Sequence, residues 1–239
     1  MKTNVEALKE MTILVDHELR RAFAVHAVGP AKKLYHMLEY FMGYRDESLT
    51  VTESSGGKRF RPSLCLLIAD MYGSRENAME AAVAIELFHN LTLLHDDVED
   101  RDEYRRGRPT VWKIWGVNHA INSGDVQALL VTEWISRVHM IPRVGTVLAQ
   151  ELTSAFIEVW EGQFLDFELA DNPLNDAINE ESYLLMIEKK SGVLVRIAAE
   201  AAGIAAGREG ERAKLRDYGL SLVDARRNWQ RHAQRYTRT

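Results

Sequence analysis

The sequence predicts an all-α chain. Three observations carry that expectation. Apolar residues recur at helical spacing along most of the length, no run alternates with the period of a strand, and the five prolines fall at the ends of the periodic segments. With 239 residues and 46% hydrophobic content, the chain is long enough for one large domain with a substantial core. A formal net charge of −5 provides no general basic field for nucleic acid. The single cysteine, Cys65, sits in the apolar run LCLLIA. It excludes an internal disulfide, fits a reducing cytoplasm, and reads as core filler because no histidine-plus-acid pattern surrounds it. No basic-then-apolar leader opens the sequence, and no apolar run reaches the roughly 18 residues of a membrane span.

The elements follow in order. Residues 3–28 carry Val5, Leu8, Ile13, Leu14, Leu19 and Phe23 at helical spacing and stop at Gly29-Pro30. A second helix over about 31–43 presents Leu34, Leu38 and Phe41. Pro62 opens a third, SLCLLIADMY, at the favoured first position. After Gly73-Ser74, a helix over roughly 76–100 runs from AMEAAVAIELFHN into LTLLHDDVED. The stretch 117–125 leads into a helix ending near Pro142, and a long helix then extends to about Ala170. Asn179 is placed to cap ESYLLMIEKKSG, Ala198 to Ala206 continues as a small-residue helix closing at Gly207, and 208–222 is helical again.

The chemistry concentrates around residues 87–100. Leu87, Phe88, Leu91, Leu93 and Leu94 make that helix apolar on nearly every side, so it is buried. It then ends in Asp96, Asp97, Glu99 and Asp100. Asp96 and Asp100, four residues apart, share a face, and like charges there repel while acids at a helix C-terminus oppose the macrodipole. A divalent cation relieves both; Mg²⁺ in particular takes one or two carboxylates together with water and phosphate oxygens. On either side lie glycine-containing basic loops. Ser54 to Pro62 carries Lys58, Arg59 and Arg61 before a helix N-terminus, an arrangement suited to an anion. Asp102 to Thr110 carries Arg105, Arg106 and Arg108, which can grip phosphate oxygens bidentately. Each motif alone has a plain reading as a solvated loop or helix end. Three within about 55 residues point to a diphosphate pocket.

Taken together, GGKRFRP (56–62), the Glu86/His89 pair, LLHDDVED (93–100), RRGRPT (105–110), AINSGD (120–125), GQFLD (162–166) and KSG (190–192) resemble the trans-isoprenyl diphosphate synthases of the polyprenyl synthetase family, in the family's order. The resemblance implies a bundle of long antiparallel helices around a central cavity, usually dimeric. It also implies Mg²⁺-dependent, head-to-tail condensation of an allylic diphosphate with isopentenyl diphosphate. Carried over by position, Asp96 and Asp100 ligate Mg²⁺ with Asp97 in support. Arg105, Lys190 and Ser191 hold the allylic diphosphate. Lys58, Arg61, His89 and Arg106 bind isopentenyl diphosphate, and Gln163 and Asp166 lie across the mouth of the cavity. Leu91 and Phe88 form the wall that sets chain length; a non-aromatic Leu91 with Phe88 as floor suggests a product of about C20.

The resemblance breaks after Leu222. The family's second aspartate-rich motif should follow, yet the chain reads VDARRNWQRHAQRYTRT, with five arginines and one acid. The expectation is a synthase domain over 1–222, incomplete through truncation or frameshift, and a disordered basic tail over 223–239. The alternative is a catalytically impaired form or a non-catalytic subunit pairing with an intact synthase. A class I terpene cyclase, which has no second diphosphate to hold, needs neither basic loop, and a purely structural helical scaffold leaves the ordered charge motifs without a role.

Overall fold

A computed structural model describes residues 4–52, 57–171 and 179–223. Two compact units make up the chain: residues 1–67 with 79–138, and residues 68–78 with 139–239. The expected all-α architecture is borne out. Helix α1 spans Asn4–Ala24, α2 Lys32–Phe41, α3 Phe60–Met71, α4 Arg75–Glu99, α5 Val111–Trp115, α6 Val117–His139, α7 Gly145–Asp171, α8 Glu180–Ile187, α9 Val193–Ala205 and α10 Arg212–Ser221. The strands β1 (Tyr104–Arg105) and β2 (Arg108–Pro109) form a small antiparallel hairpin that the sequence reading missed, as it missed α5. The atypical tail lies, apart from Val223, outside the described residues.

In the first unit, the buried stripe of α1 is Met11, Val15, Leu19, Ala22 and Phe23, whereas Val5 and Ile13 are exposed. The stripe follows the i, i+4 rows of one face, and Val5 and Ile13 fall off it. Helix α4 is enclosed from Ala81 through Phe88, as its composition predicts, and remains buried at Asn90, Leu91, Leu94 and Asp97. Gln127 of α6 donates to the Leu87 carbonyl of α4 at 2.7 Å. Cys65 is fully buried, its thiol pushed up to about 12 by burial, and it is core filler as expected. Two expected boundaries move. Helix α3 begins at Phe60, so Pro62 is its third residue, still within the first turn where no intrahelical N–H bond is lost. Helix α6 begins at Val117, which places AINSGD inside it.

The buried hub of this unit is Arg59, whose side chain is wholly enclosed. It donates to Asp16 of α1 at 2.8 Å, to Glu86 of α4 at 3.0 Å, to the Met42 carbonyl at 2.9 Å and to the Tyr44 hydroxyl at 3.2 Å. Tyr44 in turn donates to Asp16. Burial works against the guanidinium charge, yet Glu86, Tyr44 and Asp16 together hold its pKa above the ordinary arginine range.

In the second unit, Arg212 of α10 bonds Glu200 of α9 and Glu151 of α7, and Arg196 of α9 makes a two-pronged pair with Glu158 of α7 at 2.7 and 3.0 Å. Asn179 caps α8 as predicted, in a reciprocal capping box with Ser182. Between α8 and α9, residues Glu188–Gly192 form a single π-helical turn.

Helix α4 ends in a Schellman motif. The Asp102 N–H bonds the Asp97 carbonyl at 3.0 Å, the Arg101 N–H bonds the Val98 carbonyl, and Arg101 has φ +57°. Glycine is the residue that takes this left-handed position without strain. Arg101→Gly should therefore stabilise the protein by about 0.5–1 kcal/mol. Urea denaturation monitored by circular dichroism measures it, and an unchanged or lower midpoint would argue that the arginine side chain compensates the strain.

Candidate active site

The RRGR loop becomes a site through its backbone. Arg106 (φ +53°) and Gly107 (φ +75°) are the two central residues of the turn between β1 and β2, the both-positive pattern of a type I′ hairpin. Arg108 fixes the hairpin from behind. It donates to the carbonyls of Tyr40 and Arg45 and lies 4.0 Å over the Tyr40 ring, while the Tyr40 hydroxyl bonds the Pro109 carbonyl. With its base held, the turn carries Arg106 to Gly57: a Cβ added there would lie 3.4 Å from the Arg106 guanidinium carbon and 3.0 Å from Arg59 Nη1. The two basic loops converge, as the sequence reading requires.

Beneath them lies His89. Arg61 Nη1 is 3.1 Å from its Nε2. Burial first, then the charges of Arg61, Arg106, Arg105 and Arg59, hold the imidazole pKa well below the ordinary histidine range, so the ring is neutral and accepts the Arg61 proton. Burial also lowers Arg61 and Arg106, with Glu86 opposing in both cases. Glu86 already serves Arg59 and Asn90. Arg61 Nε is buried with no hydrogen-bond partner among the described residues. Among the described residues, guanidinium groups here outnumber the carboxylates that pair with them, an arrangement complementary to a multiply charged anion. Lys58, next to Arg59 in the chain, is exposed.

The acids divide by burial. Asp97 is 1% exposed and its Oδ1 accepts from Arg105 Nε at 2.5 Å. Burial raises its pKa to about 6, against the pull of the Arg105 hydrogen bond and charge. Asp96 is half-buried and Asp100 exposed. Among the described residues no three acid, histidine or cysteine side chains converge as a closed metal cage. The Asp97 Oδ2 is nevertheless buried and unpartnered among them. An orphan carboxylate oxygen flanked by two further acids fits a hard dication that keeps water and takes its other oxygens from a substrate. Leu91 and Phe88 are buried about one and two turns before the acids, respectively.

The second unit holds the remaining candidates. Asp166 of α7 accepts from Lys190 Nζ at 2.6 Å, Gln163 is buried one turn earlier, Lys189 pairs with Glu161, and Ser191 is exposed. The sequence reading did not anticipate the π-turn that carries Lys190. It also counted Arg59 with Lys58 and Arg61 among the cations of an anion-binding loop, whereas the side chain turns inward. The signal was present: Glu86 interrupts the apolar run AVAIELF, and an acid there needs a buried partner.

The profile of the Polyprenyl synthetase family matches residues 45–224. A geranylgeranyl diphosphate synthase from Methanosarcina mazei is 40% identical over 167 residues, covering 69% of this chain and 51% of that protein. A (2E,6E)-farnesyl diphosphate synthase from Mycobacterium tuberculosis is 36% identical over 172 residues, covering 72% and 46%. The chain thus spans about half the length of these curated relatives. Among solved structures, a polyprenyl synthetase from Streptomyces coelicolor superposes with a TM-score of 0.81 at 30% identity, covering 92% of this chain and 63% of that one. A geranylgeranyl pyrophosphate synthetase from Geoglobus acetivorans gives 0.76 at 32% identity, covering 90% and 65%.

The pH dependence of the metal-free protein has a defined sign at Asp97. Its folded pKa of about 6 lies above that of an unfolded aspartate, so the protonated form contributes stability that is lost as pH rises from about 4 through 6. His89, with a depressed folded value, works oppositely, destabilising as pH falls below the unfolded histidine value. Comparison with Asp97→Asn separates the two. In EDTA, the urea midpoint of the wild type relative to the variant should fall between pH 4.5 and 7; a constant difference contradicts the raised pKa.

Proposed function

Because the chain belongs to the polyprenyl synthetase family, we propose that it acts as a Mg²⁺-dependent prenyltransferase, condensing an allylic diphosphate with isopentenyl diphosphate into an all-trans prenyl diphosphate of about C20. The observation that carries the reading is the guanidinium cluster around neutral His89, in which Arg61 and Arg106 have no carboxylate hydrogen bond among the described residues, next to an acid-rich helix end with an orphan oxygen on Asp97.

Arg61, Arg106 and Lys58 neutralise the isopentenyl diphosphate, and His89 orients Arg61 through their 3.1 Å contact. Neutral His89 adds no positive charge to an already cationic pocket. Toward the allylic diphosphate the family resemblance assigns Arg105, fixed by Asp97 in the first unit, and, by its motif in the second, Lys190, whose ammonium rests on Asp166. Asp96 and Asp100, with Asp97 behind them, are the residues that would hold Mg²⁺, which supplies charge neutralisation to the departing diphosphate. As the carbon–oxygen bond breaks, negative charge grows on the leaving group, and fixed cations bind that state more strongly than the intact ester. The buried apolar side of α4, with Phe88 and Leu91, keeps water from the allylic cation.

Incubating the chain with Mg²⁺, geranyl diphosphate and isopentenyl diphosphate should yield a longer prenyl diphosphate. Arg61→Ala should raise KM for isopentenyl diphosphate about tenfold and affect the allylic KM less. Diphosphate binding without any prenyl product would overturn the transferase and leave a non-catalytic, diphosphate-binding subunit. Product length tests the wall: Phe88→Ala should shift the distribution to longer chains, and an unchanged distribution removes Phe88 from that role.

A further inference from the structure

Gly162 lies on the buried face of α7, inside the motif GQFLD, with no catalytic atom to offer. Its surroundings are unusual. A Cβ added there would lie 2.3 Å from the Lys190 backbone nitrogen and 2.7 Å from both the Lys189 carbonyl carbon and the Lys190 Cα. These neighbours are all main chain, so no side-chain rotation relieves the clash. The turn they belong to, Glu188–Gly192, is the π-helical one, with one residue more than an α-turn needs. One turn further along α7, Asp166 accepts from Lys190 Nζ at 2.6 Å. Lys190 is thus restrained at both ends by the same helix, its backbone against Gly162 and its ammonium on Asp166.

We propose that Gly162 is the positioning residue for Lys190: by lacking a side chain it lets α7 seat the π-turn so that the Lys190 ammonium meets a substrate diphosphate. The assignment rests on the diphosphate-binding reading above. Gly162 touches no substrate; it acts through Lys190. Any side chain at 162 lifts residues 189 and 190 off α7 and separates Nζ from Asp166. A flexible lysine misplaced in this way loses much of the value of a charge-assisted hydrogen bond.

The test is a double-mutant cycle on calorimetric binding of inorganic diphosphate in the presence of Mg²⁺. Lys190→Ala and Gly162→Ala should each weaken binding, the latter by about tenfold, and Gly162→Ala should add nothing in the Lys190→Ala background. Gly203→Ala, which crowds Leu215 elsewhere in the same unit, should retain wild-type affinity and reports the effect of general packing strain. Wild-type affinity in Gly162→Ala, an equal loss in the Lys190→Ala background, or a matching loss in Gly203→Ala each overturns the proposal. Two readouts decide it even if the wild-type chain binds no diphosphate, a result that would sink the functional reading instead. The Lys190–Asp166 coupling in urea unfolding should be about two- to fivefold in the unfolding constant with glycine at 162 and absent with alanine. An NOE between the Gly162 Hα protons and the Lys190 amide needs no variant; its absence overturns the proposal.

Discussion

The first unit depends on a buried charge. Arg59 has no access to solvent, so its guanidinium must be satisfied entirely by protein: Asp16 from α1, Glu86 from α4, the Met42 carbonyl and the Tyr44 hydroxyl. Removing one member of such a set strands the others, which typically costs 3–5 kcal/mol, on the order of a small domain's whole margin. The network therefore reads as a specificity device that fixes which helix faces meet. Its local cost is visible in the backbone, where Arg59 is held at φ +45°. Arg59 turns inward, Lys58 beside it is exposed, and Arg61 reaches His89.

The same network explains why the anion site stays cationic. Glu86, whose charge acts on Arg61, is committed to Arg59 and Asn90. Asp97 is likewise committed to Arg105. Among the described residues, structural pairing takes up these carboxylates and gives Arg61 and Arg106 no carboxylate hydrogen bond of their own, so a protein with an overall charge of −5 keeps a locally basic cluster. The neutral state of His89 follows first from its burial and then from the arginine charges around it.

Much of this was legible in the residues. Helix positions followed from apolar spacing, the buried character of α4 from its apolar residues on nearly every side, and the pairing of the two basic loops from their glycines and clustered arginines. What escaped depended on tertiary context. The fate of Arg59 was hidden because three adjacent cations in a loop read alike until the acids opposite are placed. The I′ hairpin escaped because its first central residue is Arg106 rather than asparagine or glycine, so the usual turn signature was missing. The exposed Val5 and Ile13 of α1 were indistinguishable from core residues by composition; only the true burial phase, set by Met11, Val15 and Leu19, separates them.

The π-turn at Glu188–Gly192 has a geometric corollary for the rod that contains it. One extra residue advances the helical phase by about 100°, so α8 and α9 are two segments in different rotational registers joined without a break in the main chain. Helix α9 is enclosed on every side, while α8 leaves Leu185 exposed and the turn leaves Ser191 exposed before the buried Gly192. Losing a single residue between Ile187 and Val193 would realign the two registers and spin the Tyr183–Met186 side of α8 away from its neighbours. Insertions and deletions there are consequently far more disruptive than substitutions, a constraint written in chain length rather than in side-chain identity.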